Sequence, residues 1–457
     1  MPVRIRRVAA ALVALAAASG ITAAQPEPAT IVIDPAVRHQ TFRGWETAVL
    51  GTVRDYYRTL PGMNEAFRLG ASDLNLTRIA LSLSPGMERP AGPGLDYIEG
   101  RLTERAYIDE YIYRAVNDNG NPKVADPAGF DFANLDWQMT YMVMPFVEAV
   151  KAAGLTPVIV ARYVDFGKVG FGHYDHPDEY AELFSVLFAH MKAKYGVVPD
   201  EIDVINEPDN MGRWTGEYIG RALLATGRRL EAEGYRPRFV APSTMDRAKA
   251  LPFLAEVLRT KGVERYLSQV TYHCYADSGK NSHAAIGQVV SKTNLESGQN
   301  ECWGESNNIE ALAVDLTQAN VSTWQLATIN GVNGFYEVDP VKKTATLRPK
   351  VRLLRQFFHY VPPGSVRIGA TGTGPTLTPV AFIAPGGRYV VVVVARAGGP
   401  MRVSGLPQGT YDVSYSTPNA FDVHTSVTVG PDGVLATSIP GAGALTINGA
   451  PSGRSAR

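Results

Sequence analysis

Two glutamates of this sequence are placed where a pair of carboxylates could do chemistry together. Glu207 stands between Asn206 and Pro208, directly after an apolar strand-like run, and Glu301 lies toward the end of a second such run. One carboxylate acting as general acid/base and another acting as nucleophile can break a glycosidic bond with retention at the anomeric carbon. That chemistry needs the two carboxyl groups about 5–5.5 Å apart.

The elements that must bring these glutamates together alternate between two patterns. β-Branched apolar runs predict strands at residues 42–49, 77–83, 156–164, 201–206, 238–242, 267–275, 294–302 and 323–329. Helical spacing predicts helices at residues 135–153, 177–195, 215–233, 251–258, 308–319 and 348–360. This alternation is typical of an α/β fold, an eight-stranded (β/α)8 TIM barrel. The alternative is a doubly wound open sheet, but no Gly-x-Gly-x-x-Gly follows the first strand.

In a barrel of this order the two glutamates meet at one face. Glu207 would end the fourth strand and Glu301 the seventh, and the carboxyl ends of the strands carry the active sites of such barrels. Pro208 forces the chain out of the strand beside the acid. Glu305 and Glu296 are rivals of Glu301 for the role of nucleophile.

The end of the chain has a different pattern. After the break at residues 361–364, short β-rich runs alternate with Gly and Pro, which predicts a C-terminal antiparallel β-sandwich. We expect residues 41–345 to form the barrel and residues 346–450 the sandwich with its linking helix. Residues 25–40 hold a spare strand that could join the sandwich, and residues 451–457 are expected to form a disordered tail.

The first 24 residues have the pattern of a secretory signal peptide. Arg4, Arg6 and Arg7 precede the apolar run 8–18, and residues 22–24 offer a small-residue cleavage site. That run is short for a membrane span, and no later run is long enough. We therefore expect an exported protein, secreted or periplasmic, with no membrane partner.

Composition excludes several classes of protein. The chain of 457 residues is 45% hydrophobic, with 44 basic and 44 acidic side chains, so charge gives no reason to expect nucleic acid as a partner. The eight histidines are scattered and the two cysteines lack zinc spacing, so no metal or other cofactor is indicated. Cys274 and Cys302 should lie on neighbouring strands, and we expect a buried, unbridged pair, because a disulfide between adjacent parallel strands is geometrically awkward.

The sequence resembles a clan A glycoside hydrolase, and within that clan it is most similar to glycoside hydrolase family 30. The motif Asn206-Glu207-Pro208 and the stretch around Glu301 carry the likeness to the clan. Residues 348–368 resemble the family's link from the last barrel helix to its side sandwich, and residues 432–440 resemble its closing strands.

The resemblance implies roles for residues beyond the glutamate pair. Tyr275 would hydrogen-bond the nucleophile Glu301, and strand alternation puts His273 on the same inward face. Arg78 would keep the nucleophile ionised by placing a positive charge beside it. Asn206 would hydrogen-bond the sugar hydroxyl next to the reacting carbon.

Aromatic side chains near strand ends are candidates for sugar platforms, because the apolar faces of sugar rings stack on them. Trp45, Tyr163, Trp303 and Trp324 fit this position, and Trp324 is the best placed by position and resemblance. For each of them, packing in the core is the competing explanation.

These observations together predict a retaining glycoside hydrolase that acts on a β-linked polysaccharide or glycoconjugate. A carbohydrate would be its partner, and its oligomeric state is left open. The alternatives are an exported carbohydrate-binding barrel without turnover, and a transglycosylase that uses the same residues.

Overall fold

The protein is described here from a computed structural model, which covers residues 27–49, 60–167, 170–279, 281–304, 307–331 and 333–451. The predicted signal peptide lies outside these residues, as does most of the predicted tail. Strands and helices are numbered in chain order.

Eight parallel strands close into a barrel, which confirms the predicted architecture. The first strand of the chain, β1 (Ala29–Thr41), lies outside this barrel. The barrel strands are β2 (Gly44–Ala48), β3 (Leu76–Leu83), β4 (Val158–Tyr163), β5 (Glu201–Asp203), β6 (Arg238–Asp246), β7 (Leu267–Ala276), β8 (Glu296–Glu301) and β9 (Val321–Thr328). Almost all of their residues are buried, as expected of parallel strands covered by helices on one side and packed side chains on the other.

Helices follow the barrel strands along the chain. They are α1 (Leu60–Leu74), α2 (Pro93–Ile98), α3 (Glu104–Tyr107), α4 (Ala133–Gln138), α5 (Met144–Ala152), α6 (Pro177–Tyr195), α7 (Pro208–Met211), α8 (Gly216–Ala232), α9 (Ala250–Val257), α10 (Ser282–Val290), α11 (Ile309–Thr317) and α12 (Val351–Phe358). The predictions did not include α1, α2, α3, α7 or α10. Glycines and a proline in α1 weaken its helical signal, and packing against neighbours decides such cases.

The helix expected at 135–153 is divided in the structure. A π-helical turn, Met139–Val143, separates α4 from α5. Pro145 lies in the first turn of α5 and has no N–H to donate to the preceding turn. A wider turn at this point is a common accommodation of such a missing bond.

The C-terminal part is a separate β-sheet domain. Nine strands form its sheet in the order β17-β16-β19-β14-β13-β12-β1-β15-β18, where β1 pairs antiparallel with β12 and parallel with β15. Their bounds are β12 (Val366–Gly372), β13 (Leu377–Ala384), β14 (Arg388–Ala395), β15 (Gly399–Ser404), β16 (Gly409–Thr417), β17 (Ala420–Val429), β18 (Val434–Ile439) and β19 (Gly443–Gly449). A hydrophobic core of their inward side chains is distinct from the barrel core. A small hairpin, β10 (Tyr336–Asp339) and β11 (Thr344–Leu347), precedes α12.

Helix α12 ties the barrel to the sandwich. The guanidinium of Arg355 donates to Asp73 at the end of α1 at 2.6 and 2.8 Å, and it lies 2.9 Å from Asp422 of β17. The side chain of Gln356 contacts Ser416 and Thr446 of the sandwich. The carboxyl ends of the barrel strands stay free of the sandwich and are available for a site.

Candidate active site

Glu207 lies at the carboxyl end of β5, in a turn held by both neighbouring strands. The backbone N–H of Asn206 donates to the carbonyl of Tyr163 on β4 at 2.8 Å, and that of Glu207 donates to the carbonyl of Ser243 on β6 at 3.0 Å. Glu207 itself has a φ of +50°. A left-handed conformation is unfavourable for a residue with a Cβ, and such outliers cluster at functional sites.

Two donors hold the side chain of Glu207. His273 Nδ1 lies 3.0 Å from Oε1, and the amide of Asn210 donates to Oε2 at 3.0 Å. Burial raises the pKa of Glu207, but the hydrogen bond and charge of His273, with the bond from Asn210, outweigh it and leave the pKa lowered. The pKa of Glu207 therefore depends on its hydrogen bond with His273.

Glu301 ends β8 and faces Glu207 across the barrel mouth. The hydroxyl of Tyr275 donates to Glu301 Oε1 at 2.8 Å, and the guanidinium of Arg162 donates to Oε2 at 3.0 Å. Burial and the charge of Glu301 raise the pKa of Tyr275, so this phenol remains a donor. A carboxylate with a cation and a phenol beside it is stabilised in its ionised form.

The two glutamates are close enough to act on one bond. One carboxylate oxygen of Glu207, one of Glu301 and one ring nitrogen of His273 lie within 4.8 Å of one another. These three side chains are also of the types that bind divalent metals, although the guanidinium of Arg162 already provides positive charge beside Glu301.

The arginine beside Glu301 is not the one expected. The prediction that Arg78 lies beside the nucleophile is wrong. Arg78 is the third residue of β3 and lies toward the amino end of the barrel. There it pairs with Glu46 at 2.9 Å and with Glu201 at 2.6 Å. Arg162 is the fifth of six residues in β4 and therefore lies near the carboxyl end. A charged residue within an apolar strand was the signal for Arg78, and the same signal marks Arg162.

Arg162 is itself held by buried polar groups. Its guanidinium donates to Asp203 at 3.0 Å and to the backbone carbonyl of Asn300, and the amide of Asn300 donates to Asp203 at 2.9 Å. Burial raises the pKa of Asp203 to about 6, although Arg162 and a hydrogen bond from Ser243 counteract it. These residues have no motif that marks them in the sequence.

Three of the predicted sugar platforms belong to the core instead. Trp324 is fully buried, donates to Asp315 at 3.0 Å and packs edge-on to Trp45, whose own indole N–H donates to the carbonyl of Val361 at 2.9 Å. Both indoles point outward from the barrel, because the alternation of β2 and β9 turns their neighbours Glu46 and Gln325 inward, where the two side chains hydrogen-bond. Tyr163 is also buried, bonded to His173. Trp303 remains partly exposed after Glu301.

Other aromatic residues line the pocket that contains the glutamates. Tyr113 and Phe166 lie in its wall with their ring centroids 5.6 Å apart, together with Asn206 and Arg162. Tyr113 comes from the long loop between β3 and α4, and Phe166 follows β4. The side-chain oxygen of Asn206 is buried and accepts no hydrogen bond from the described residues. That oxygen is therefore available to a hydroxyl of a bound molecule.

One of the two rival carboxylates, Glu296, is separated from this pocket. Glu296 begins β8 at the opposite end of the barrel, where it pairs with Arg43 and Arg238. The hydrogen bonds of these arginines lower the pKa of Glu296 more than burial raises it. Glu305 lies outside the described residues.

The expectation for the cysteines was wrong. Cys274 and Cys302 form a disulfide with their Cα atoms 5.2 Å apart, and Cys274 is only half-buried. The pairing of β7 with β8 shifts register just before His273 and Glu301, and β8 ends at Glu301. The two cysteines therefore lie past the regular ladder, where Cβ directions are not fixed by parallel pairing.

Comparisons with known proteins agree with this architecture. Residues 364–434 match the family model described as the glycosyl hydrolase family 30 beta sandwich domain. In fold, the chain is similar to the catalytic domain of GH30 xylanase C from Talaromyces cellulolyticus, with a TM-score of 0.69 at 15% identity over 92% of this chain and 99% of that chain.

Two other solved structures are similar over comparable lengths. An endo-β1,6-glucanase has a TM-score of 0.62 at 17% identity, covering 92% of this chain and 94% of its own. A conserved exported protein from Bacteroides fragilis has a TM-score of 0.66 at 13% identity, covering 92% and 100%. No curated protein matches the chain in sequence. The predicted resemblance to family 30 is thus confirmed in the sequence of the sandwich and in the fold of the whole.

Proposed function

We propose that this protein is an exported retaining glycoside hydrolase, with Glu301 as nucleophile and Glu207 as acid/base. The observation that carries the proposal is the approach of the two carboxylates to within 4.8 Å in one pocket at the carboxyl ends of the barrel strands. A retaining pair lies about 5–5.5 Å apart, whereas an inverting pair leaves about 6.5–9.5 Å for a water molecule. The match of the sandwich to family 30 supports the same class.

The first step of the mechanism is glycosylation. Glu301 attacks the anomeric carbon, the bond to the leaving oxygen breaks, and that oxygen takes the proton of Glu207. Arg162 and Tyr275 hold Glu301 ionised and oriented before the attack. The hydroxyl beside the anomeric carbon would hydrogen-bond the free oxygen of Asn206.

The second step releases the sugar. Glu207, now a carboxylate, takes a proton from water as the water oxygen attacks the anomeric carbon and the bond to Glu301 breaks. Atoms balance over the cycle, because one water is consumed and Glu207 regains its proton. His273 supports both steps by holding Oε1 of Glu207 at 3.0 Å in either protonation state, as a donor or an acceptor.

The substrate class is inferred from solved structures that have a similar fold. These proteins include a xylanase and an endo-β1,6-glucanase, both of which act on β-linked polysaccharides. We infer a β-linked polysaccharide for this chain, with Tyr113 and Phe166 contacting its sugar rings. Export rests on the signal-peptide pattern and on the similar exported protein from Bacteroides fragilis. Among the described residues, no helix is both long and apolar enough to cross a membrane.

The test measures product release from a panel of β-linked polysaccharides that includes xylan and β1,6-glucan. We expect Glu207→Gln and Glu301→Gln to lower turnover by at least about a thousandfold while the circular dichroism spectrum is unchanged. Glu296→Gln is the matched control, because it makes the same change on β8 at the other end of the barrel, and it should keep most of the activity.

Two further measurements separate the alternatives. A 2-deoxy-2-fluoro glycoside of the accepted sugar should leave a covalent adduct on Glu301, detected by mass spectrometry of peptides. Proton NMR of the first product should show the anomeric configuration of the substrate. Binding without any product would indicate a carbohydrate-binding barrel, and transfer to sugar acceptors in preference to water would indicate a transglycosylase.

A further inference from the structure

A second group of carboxylates lies outside the active-site pocket, between the long β3–α4 loop and helix α6. We define the acidic cluster as Glu88 and Asp118 of the loop with Glu179 and Glu182 of α6. One carboxylate oxygen each of Glu88, Asp118 and Glu179 lie within 4.8 Å of one another. Glu179 and Glu182 are three residues apart and so share one face of α6.

Several oxygens of this group are buried without a hydrogen-bond donor. Glu182 is 1% exposed, and neither of its carboxylate oxygens accepts a hydrogen bond from the described residues. The same holds for Oε2 of Glu179 and for the amide oxygen of Asn117, whose Nδ2 donates to Glu179 Oε1 at 3.3 Å. A buried carboxylate without donors is strongly unfavourable unless a cation or a proton compensates it.

The positive charges nearby are too few for four carboxylates. Arg229 Nη2 lies 3.8 Å from Glu182 Oε1, but its Nε is engaged with Glu233 at 3.2 Å. His173 contacts Glu88 through Nε2. The described cations therefore leave the cluster with uncompensated negative charge, which a bound cation would balance.

The oxygens present suit one kind of cation. Glu88, Asp118 and Glu179 each offer one carboxylate oxygen to the group, and the donor-free oxygens of Glu182 and Asn117 belong to side chains that adjoin Glu179. Carboxylate and amide oxygens without nitrogen or sulfur are the ligands of hard divalent ions, and Ca²⁺ takes 6–8 oxygens in irregular geometry, whereas Mg²⁺ keeps several waters in a strict octahedron. We propose that the acidic cluster is a Ca²⁺ site that joins the β3–α4 loop to helix α6.

The proposed Ca²⁺ site would also affect the active-site pocket, because the β3–α4 loop forms part of the wall of that pocket. That loop supplies Tyr113 to the pocket wall, and Val116 N–H, a few residues before Asp118, donates to the carbonyl of Glu88 at 2.7 Å. Glu88 also contacts His173, which is hydrogen-bonded at 2.7 Å to Tyr163 at the end of β4. An ion between the loop and α6 thus holds a wall of the pocket in place without touching the substrate.

The experiment uses the purified protein stripped with EDTA and dialysed against calcium-free buffer. Equilibrium dialysis should find one Ca²⁺ per chain, and a hundredfold excess of Ca²⁺ over its Kd should raise the melting temperature by about 3 °C. Glu182→Gln should weaken Ca²⁺ binding at least tenfold and remove the thermal response. Asp178→Asn, a change of equal charge on the exposed side of α6, should leave both unchanged.

Each other result overturns the proposal. Wild-type protein that binds no Ca²⁺ would show that a proton compensates the cluster, and an equal response to Mg²⁺ at the same concentration would exclude a calcium site. Loss of the response in Glu207→Gln, with retention in Glu182→Gln, would place the ion in the active-site pocket. None of these measurements depends on turnover, so failure of the proposed function leaves the test intact.

Discussion

Arg162 and Glu301 are 139 residues apart in the sequence, and a hydrogen bond of 3.0 Å joins Nη1 of the arginine to Oε2 of the glutamate across the barrel mouth. The guanidinium is fixed on its other side by Asp203 at 3.0 Å. Both side chains of this second pair are buried, so water screens the charges little. These buried contacts fix the guanidinium of Arg162 beside the carboxylate of Glu301 before any substrate binds.

Tyr275→Phe should impair catalysis through Glu301. The variant loses the hydrogen bond from the phenol to Oε1, and a bond to a charged group contributes about 1.5–3 kcal/mol, so kcat/KM should fall about 10- to 150-fold. Steady-state kinetics of the variant and the wild type measures this fall.

Tyr195→Phe is the control for this change. The hydroxyl of Tyr195 donates to a carboxylate too, that of Asp136 at 2.9 Å, but on the outer helical layer. Its kcat/KM should equal that of the wild type. Equal losses in the two variants would contradict a specific role for Tyr275.

His273→Leu should move the alkaline limb of the pH–rate profile. The hydrogen bond and charge of His273 lower the pKa of Glu207, so without them burial dominates and the pKa rises. A general acid loses activity as pH rises through its pKa, and a higher pKa therefore shifts the alkaline limb to higher pH. A limb that stays in place, or moves to lower pH, would show that His273 does not lower the pKa of Glu207.

Phe166→Ala should weaken substrate binding more than chemistry. The ring lies in the pocket wall beside Tyr113, and losing an apolar contact of about 1–2 kcal/mol should raise KM about 5- to 30-fold with little change in kcat. Phe421→Ala removes an exposed ring of the sandwich and serves as control. A KM that responds equally to both variants would refute a sugar platform at Phe166.

The disulfide should stabilise the strand ends that carry Tyr275 and Glu301. Cys274 and Cys302 are 28 residues apart, and closing such a loop contributes about 3–4 kcal/mol in the chain-entropy account. Thiol titration of the denatured, unreduced protein should find no free thiol, and the Cys274→Ser/Cys302→Ser variant should melt about 4 °C lower. Two free thiols would show that the pair is not bridged.

Much of the fold could be predicted because it depends on local patterns. Most barrel strands follow from short apolar β-branched runs, whereas β8 is polar and was predicted from its place in the alternation. The helix at 177–195 begins and ends as its Pro177 start and Gly196 stop indicate. The turn after β5 also has a local signal, since Pro208 directly follows Glu207 and begins α7, although β5 itself ends earlier, at Asp203. Helix α1 has no comparable signal, because its glycines lower helix propensity and packing compensates for them.

The sequence by itself determined the strand order and hence which carboxylates reach the barrel mouth, since Glu207 and Glu301 end their strands and Glu296 begins one. Only the tertiary structure decided which arginine meets Glu301. Arg78 stands early in β3 and Arg162 late in β4, but the depth of each side chain along the barrel axis also depends on how far its strand is staggered against its neighbours. It also decided that Trp45 and Trp324 face the helices, and that Cys274 and Cys302 meet past the end of the ladder. Those outcomes depend on side-chain direction across strands, which no single strand encodes.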